Sequence, residues 1–567
     1  MYFSNETPIQ VKFCVYKTSS WADNIPCEGG VAFMEPNAKR SWSPAPREHK
    51  ESFDVRVFRP AFFDQLLGRV ADVNRGGLVR IYQDSTGFHV ELQNTLRYHN
   101  IEMPRPAMVA TVRGLDALKS QMAAVAAQNI VVRAVGGGYS FSDVAHTDGL
   151  FVYTHEMNKQ LSLDPQVLKP GVSPENLRKV EGGIKVATLN NALWAEGKAL
   201  INQGGYDQQT LFGALCTGTH GSGITLGSIA SSVRSIHLVT FDQHWNLRDL
   251  QIEPTNGMTD PAAHRATYPG VELIQNDDVF YATTVSFGAM GVVYSVTMEV
   301  RDAYWLLEDR IKQSWNDTRA QLLGGLVRDR TFRHIEVLVN PYTGNTVLTR
   351  RQEVVAAGPS GRRNFAQTDL AKFKELAYMI QDAANAHPEM VPLLVDLALD
   401  GTTDAGVVDK CFVLLNIGAA NDFPVFSSEI GIDATDISNV VRAVEDINAT
   451  LKKRASVDKR YITSPYALRF VKADTSYLSM QYGRDTCMIE TPMLAATTGG
   501  QDTLRQIRAL LVQHYAGRPH WGQVMEIDAT AVTRMYPKFE AFRATYRQLN
   551  VSGAFRSAMT QRCGLDG

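Results

Sequence analysis

Apolar positions first fall into a regular pattern at Ala107. Residues 108–112 alternate as a strand, residues 115–127 repeat their apolar side chains at helical spacing, and residues 129–135 are again extended and β-branched. This β-α-β order delivers the chain into Gly136, Gly137 and Gly138, followed by hydroxyls. A further short strand is expected at 149–153, and residues 177–182 lead to a helix at 185–196, before a long loop over 203–227. Strands at 233–240 and 292–300 bracket an apolar run, 280–286, that leads into Phe287-Gly288-Ala289-Met290-Gly291. Beyond Tyr304 the pattern shifts to strands at 334–339, 345–348, 466–472 and 486–491, with helices at 373–386, 438–454 and 502–516. The predicted fold class is α+β, in two domains, 105–302 and 303–525, with a terminal segment, 526–567. Residues 1–104 read as an N-terminal extension, partly strand at 11–16 and 78–82, with a Pro- and Ser-rich stretch at 37–50.

Composition narrows the function. A chain of 567 residues with 44% hydrophobic residues supplies the cores of several domains. A formal net charge of -2 gives nothing to attract nucleic acid or an acidic membrane, so the expected partner is a small molecule. No run approaches the roughly 18 apolar residues of a membrane span, and residues 1–12 lack the pattern of a signal peptide; a cytoplasmic protein is expected. Six scattered cysteines, without metal-ligand spacing, are expected to be reduced thiols.

Two glycine-rich stretches carry the candidate chemistry. A strand that opens into glycines leaves backbone N–H groups free to point at a phosphate. The dinucleotide fingerprint fails here, because after Gly136 and Gly138 its third glycine position holds Phe141. In the second stretch Gly213 and Gly218 have the spacing of a phosphate-loop NTPase, but Thr219 and His220 stand where Lys and Ser or Thr are required. Phosphoryl transfer is therefore unsupported.

Taken together, the stretches Val135-Gly136-Gly137-Gly138-Tyr139-Ser140-Phe141-Ser142-Asp143 with Thr147-Asp148-Gly149, Tyr206 to Gly213, and Thr217-Gly218-Thr219-His220-Gly221-Ser222-Gly223 resemble the flavoproteins of the vanillyl-alcohol oxidase and p-cresol methylhydroxylase (PCMH) type. Sugar-1,4-lactone oxidases and alditol oxidases are the most similar group. The likeness continues at Phe287 to Val293, at Arg518-Pro519-His520-Trp521-Gly522, at Tyr536-Pro537 and at Gly553-Ala554-Phe555. It implies a PCMH-type FAD-binding domain over 105–302, a cap domain over 303–525 built on an antiparallel sheet with helices, and a C-terminal segment, 526–567, that returns to the first domain. The cofactor it implies is FAD, with the pyrophosphate between the two glycine stretches and contacts from Val135, Gly136, Gly137, Gly138, Tyr139, Ser140, Phe141, Ser142, Asp143, Gly205, Gly213, Thr217, Gly218, His220, Gly221, Gly223, Gly288, Gly291, Val292 and Val293. The implied activity is oxidation of a CH–OH group in a small organic substrate, by hydride transfer to FAD, with dioxygen or another compound as final acceptor.

The sequence departs from that family at informative positions. Tyr139 stands where the family's histidine bonds covalently to the flavin, which implies noncovalent FAD. Cys216 is in a different position from a cysteinyl link and reads as a small residue packed under the loop. The family's Glu-x-Arg becomes Ala467-Leu468-Arg469, and its His-Trp-Gly-Lys becomes His520-Trp521-Gly522-Gln523. Period-2 alternation puts residues 467 and 469 on one face, so Arg469 is expected to face the flavin without its acidic neighbour. Gln523 can donate a hydrogen bond but carries no charge. The catalytic set is Arg469, Gln523, His520 and Glu490, with no metal. Tyr466, Tyr482 and Glu526 are further candidates for the missing base; His520 is the one expected to face the cofactor, and Glu490 is expected on a solvated or salt-bridged face. Two alternatives are a biosynthetic tailoring flavoenzyme (oxidative cyclisation, dehydrogenation or decarboxylation) and a flavin-fold protein without turnover.

Overall fold

The computed structural model describes residues 106–417 and 425–566 and, before them, eight strands between Tyr2 and Gln93. Residues up to Tyr98 form a compact unit of their own. Its strands make two four-stranded sheets, one containing Leu78–Asp84 and the other Val11–Lys17, where strands were expected. Cys27 and most of the Pro- and Ser-rich stretch lie outside the described residues.

In the second unit the expected β-α-β order is present. Strands β1 (Met108–Thr111), β2 (Val132–Val135) and β3 (Leu150–Tyr153) form a parallel sheet in the order β2-β3-β1. Helix α1 (Leu115–Ala126) packs on this sheet through Leu118, Met122 and Val125, one apolar stripe at helical spacing. A seven-stranded, mainly antiparallel sheet follows, with Val292–Asp302 paired to both Leu177–Glu181 and Val233–Phe241. Two elements differ from expectation. The loop expected over 203–227 contains a short helix, α2 (Leu211–Cys216), too brief for a periodic signal. The apolar run at 280–286 belongs to a helix, Asp277–Thr284, capped by the Asn276 side chain.

Beyond residue 302 an eight-stranded antiparallel sheet dominates. Its strands are β4 (Trp305–Ser314), β5 (His334–Val339), β6 (Asn345–Val354), β7 (Asp404–Lys410), β8 (Val425–Asp433), β9 (Tyr466–Val471), β10 (Thr486–Leu494) and β11 (Arg518–Pro519). They lie in the order β7-β4-β6-β5-β9-β10-β8-β11. Helices α3 (Leu370–Ala386), α4 (Val391–Asp400), α5 (Ile437–Val457) and α6 (Gly500–His514) accompany it. Alternation divides the sheet. Ile335, Val337, Leu468, Phe470 and Ile489 bury one face against α5 and α6, while Glu336, Ala467, Arg469 and Glu490 line a cavity on the other. The four described cysteines, Cys216, Cys411, Cys487 and Cys563, are free and buried. No described helix is long and apolar enough to cross a membrane.

Candidate active site

The glycine loop starts where β2 stops. The carbonyl of Val135 accepts the backbone N–H (2.9 Å) and hydroxyl (3.0 Å) of Thr154, and the chain then leaves the sheet. The N–H groups of Gly136 through Ser140 have no acceptor among the described residues. A Cβ on Gly136 would lie 1.9 Å from the Thr210 hydroxyl, so the two glycine stretches touch here. Beyond the glycines the loop is pinned to the far end of the chain: Phe141 donates its N–H to Gly522 (2.7 Å) and Ser142 its hydroxyl to Trp521 (2.5 Å). Asp143 fastens the loop: both its carboxylate oxygens are taken by Arg562, at 2.7 and 2.9 Å.

The second stretch turns on α2. Thr217 caps the helix and returns its hydroxyl to Gly213 (3.0 Å), and Gly218, at φ 79°, ends it in the left-handed conformation. A Cβ on Gly221 would lie 2.2 Å from the Gln203 carbonyl oxygen, and Gly223 runs beside Val471 at the end of β9. Gly205 and His220 line the cavity. The turn at Gly288 and Gly291 is tied to α2 by the Phe287 N–H, which donates to Cys216 (2.8 Å), and Val292 and Val293 point into different cores. Cys216 lies in the core beneath the loop, where burial pushes its thiol up to about 12.

The cap sheet faces these loops across a cavity of about 310 Å³. Arg469 lines it. Its guanidinium bonds Glu490 at 2.7 Å and Glu429 at 3.3 Å, and its cross-strand neighbour on β5 is Glu336. The register explains the pair: Glu490 on β10 is directly opposite Ala467 on β9, and Glu429 on β8 is directly opposite Glu490. A carboxylate is therefore present at the arginine, supplied from the next strand, and Glu490 faces the cavity instead of bulk solvent. Burial works to raise the Glu336 carboxyl, but Arg351, Arg469 and Arg310 outweigh it and hold it at about 2. Burial likewise works to raise Glu429, and His220 with Arg469 holds it down.

His520 lines the cavity, yet its Nδ1 accepts the N–H of Gly522 at 3.0 Å, which leaves the proton on Nε2. Burial, with His220 and Arg469 nearby, pushes its pKa down to about 4. With Nδ1 engaged, the ring's remaining nitrogen is a neutral N–H donor. His220 donates from Nδ1 to the Gly221 carbonyl (2.9 Å) and turns Nε2 to Glu429 (3.3 Å). Although ligand atoms of His220, Glu429 and His520 lie within 4.8 Å of one another, His520 offers no free lone pair to a metal. Gln523 reaches Glu490 with its amide nitrogen (3.4 Å), while its buried Oε1 has no partner among the described residues. The other candidates fall away. Tyr466 is on the opposite face, bonded to Asn448 at 2.8 Å. Tyr482 packs on Tyr477, and Glu526 is tied to Arg508 at 2.7 Å.

Two family models match this chain, an FAD binding domain over residues 106–244 and D-arabinono-1,4-lactone oxidase over residues 296–563. The matches support an FAD-dependent oxidoreductase of the lactone and alditol oxidase type. This flavoprotein is 27% identical over 446 residues to the L-gulono-1,4-lactone dehydrogenase of Mycobacterium tuberculosis, covering 76% of this chain and 90% of that protein. It is 25% identical over 473 residues to the L-gulonolactone oxidase of Mus musculus, covering 81% and 94%. Its fold is similar to that of the solved cholesterol oxidase from B. sterolicum, with a TM-score of 0.63 and 12% identity over 80% of this chain and 93% of that one.

The residues present fit FAD. The unbonded N–H groups of residues 136–140 are donors for a pyrophosphate. The buried hydroxyls of Thr210 and Thr219 have no partner among the described residues either, and Thr219 lines the cavity. Tyr139 also lines it, its ring edge-on to Tyr206 at 4.7 Å. Sequence reasoning missed Glu429, Glu336 and Arg310 in the flavoprotein's cavity. The available signal for Glu429 was a single carboxylate in Val425–Asp433 before its final residue.

Proposed function

We propose that this chain oxidises a CH–OH group of a small organic substrate using noncovalently held FAD, with dioxygen or another compound as final acceptor. In this reading residues 105–302 hold the cofactor, 303–525 form the cap, and 526–567 return to the first domain; free buried thiols support a cytoplasmic setting. The observation that carries it is Glu490, 2.7 Å from Arg469 and opposite the alanine that breaks the family's Glu-x-Arg. Bound FAD supplies the two-electron acceptor. Glu490 accepts the hydroxyl proton, oriented by the Ser427 hydroxyl (3.2 Å) and the Gln523 amide on its Oε1. Arg469 holds the substrate oxygen as negative charge develops, and His520 adds a neutral N–H donor. Tyr139 offers no imidazole for a covalent link, which supports dissociable flavin.

The test is spectroscopic. Purified protein should be yellow and release its flavin to the supernatant on acid precipitation; flavin left in the pellet refutes noncovalent binding. Glu490→Gln should slow anaerobic flavin reduction by about 10²–10⁴-fold with flavin content unchanged. A wild-type rate removes Glu490 from the mechanism, and a protein that takes up no FAD removes the enzyme reading altogether.

A further inference from the structure

We propose that the substrate is an alcohol with an apolar body, and that the cavity binds this body between the cap sheet and the α3–α4 pair. This rests on the reading of the Arg469–Glu490 end as the reacting end. The register of the cap sheet sets a gradient along the cavity. One row across it is Leu338, Ala467, Glu490 and Glu429. Two residues along the strands the row becomes Pro492 opposite Ser427, and two further on it is Leu494 opposite Val425. Charge therefore ends at Glu490 on this wall. At a strand rise of roughly 3.4 Å per residue, the uncharged stretch from Glu490 to Leu494 runs about 14 Å.

The helices close that stretch with matching chemistry. Phe373, Leu376, Ala377 and Ile380 project from one face of α3, and Ala398 joins them from α4. Ile380, Ala398 and Leu494 belong to one apolar cluster, with Phe373, Leu376, Ala377 and Val425 packed on it. Of the polar lining residues, Asn364 and Gln367 group around Asp404, which takes the Asn364 amide at 2.9 Å, and the hydroxyls nearest this stretch are engaged by its backbone: Thr463 accepts the Leu494 N–H at 2.9 Å and Ser464 donates to the Pro492 carbonyl at 3.1 Å. Hydroxyls of a polyol placed against the α3 wall would face apolar side chains and give up their hydrogen bonds to water. Each methylene placed there gains about 0.8 kcal/mol instead. The difference in sign favours a hydrocarbon body over a sugar chain.

The experiment measures binding separately from turnover. Anaerobic holoenzyme is titrated calorimetrically with butanol, octanol, dodecanol and sorbitol, and flavin bleaching is followed in parallel. Kd should fall roughly threefold to fourfold per methylene from butanol to octanol, with sorbitol no tighter than butanol. Ala377→Trp, which fills the α3 wall, should cut the advantage of dodecanol over butanol by at least about tenfold. Leu376→Ala, which enlarges it, should move the best chain length upwards. Flavin content and thermal midpoint check that both variants fold. A Kd independent of chain length, sorbitol binding tighter than octanol, or an unaltered length dependence in both variants overturns the proposal. Octanol that binds with the expected length dependence but never bleaches the flavin supports the apolar site and counts against the oxidation chemistry.

Discussion

The two sides of the cavity are built by opposite means. On the loop side, neighbouring residues in the chain present backbone N–H groups, and side chains mostly serve to hold the backbone in place. On the cap side, the groups come from β5, β8, β9 and β10, and the backbone only sets their register. A backbone site depends on close approach and conformation, so it fails by steric intrusion. A side-chain site in a buried sheet depends on charge balance, so it fails when one partner is removed and the others are stranded.

Four changes probe that contrast. The largest effect is expected from Arg469→Ala, which strips Glu490 of its cation and leaves Glu429 with His220 alone; breaking such a buried pair costs about 3–5 kcal/mol. It should show as lowered unfolding stability and slower flavin reduction, and intact stability would mean that the carboxylates do not depend on it. Gly221→Ala should act on the other side. Its Cβ would meet the Gln203 carbonyl at 2.2 Å, so the backbone must shift, and a loss of about 3 kcal/mol with poor flavin retention is expected. Full retention at wild-type stability would refute the steric account of the loop.

The third change concerns pH. His520 is held down to about 4 against an ordinary 6.5, so between those values the unfolded chain takes up a proton that the folded protein refuses. Stability from this group is therefore complete above about 6.5 and declines as pH falls toward 4, by up to about 3 kcal/mol. His520→Gln should flatten that window in a chemical-unfolding series; an identical slope in the variant would exclude His520 as its source. The smallest effect is expected from Arg562→Ala. Its bond to Asp143 is partly exposed and worth at most about 1 kcal/mol, so flavin release should quicken by less than about tenfold, as read by fluorescence of the freed cofactor.

The same contrast explains what the sequence disclosed. The glycine loop was legible because its parts are contiguous and follow a strand whose β-branched run is plain. What stayed hidden is the bond from Asp143 to Arg562, because its partner lies 419 residues further on. The face of Arg469 followed from period-2 alternation. Its carboxylate did not, because the partner is set by the register of β9 against β10, and a single sequence carries no record of register. Strand β8 went unread for a related reason: Phe426 to Ile432 are all buried, so no alternation marks it, and Glu429 was hidden with it.

The loop after β2 also has a consequence for biogenesis. Its fastenings are Trp521, Gly522 and Arg562, all made hundreds of residues after the glycines they secure. A ribosome-bound chain can therefore display the glycines but cannot close the loop around a cofactor until residues 521, 522 and 562 have been made. Flavin capture in its final form follows synthesis of the segment that carries residues 521 to 562.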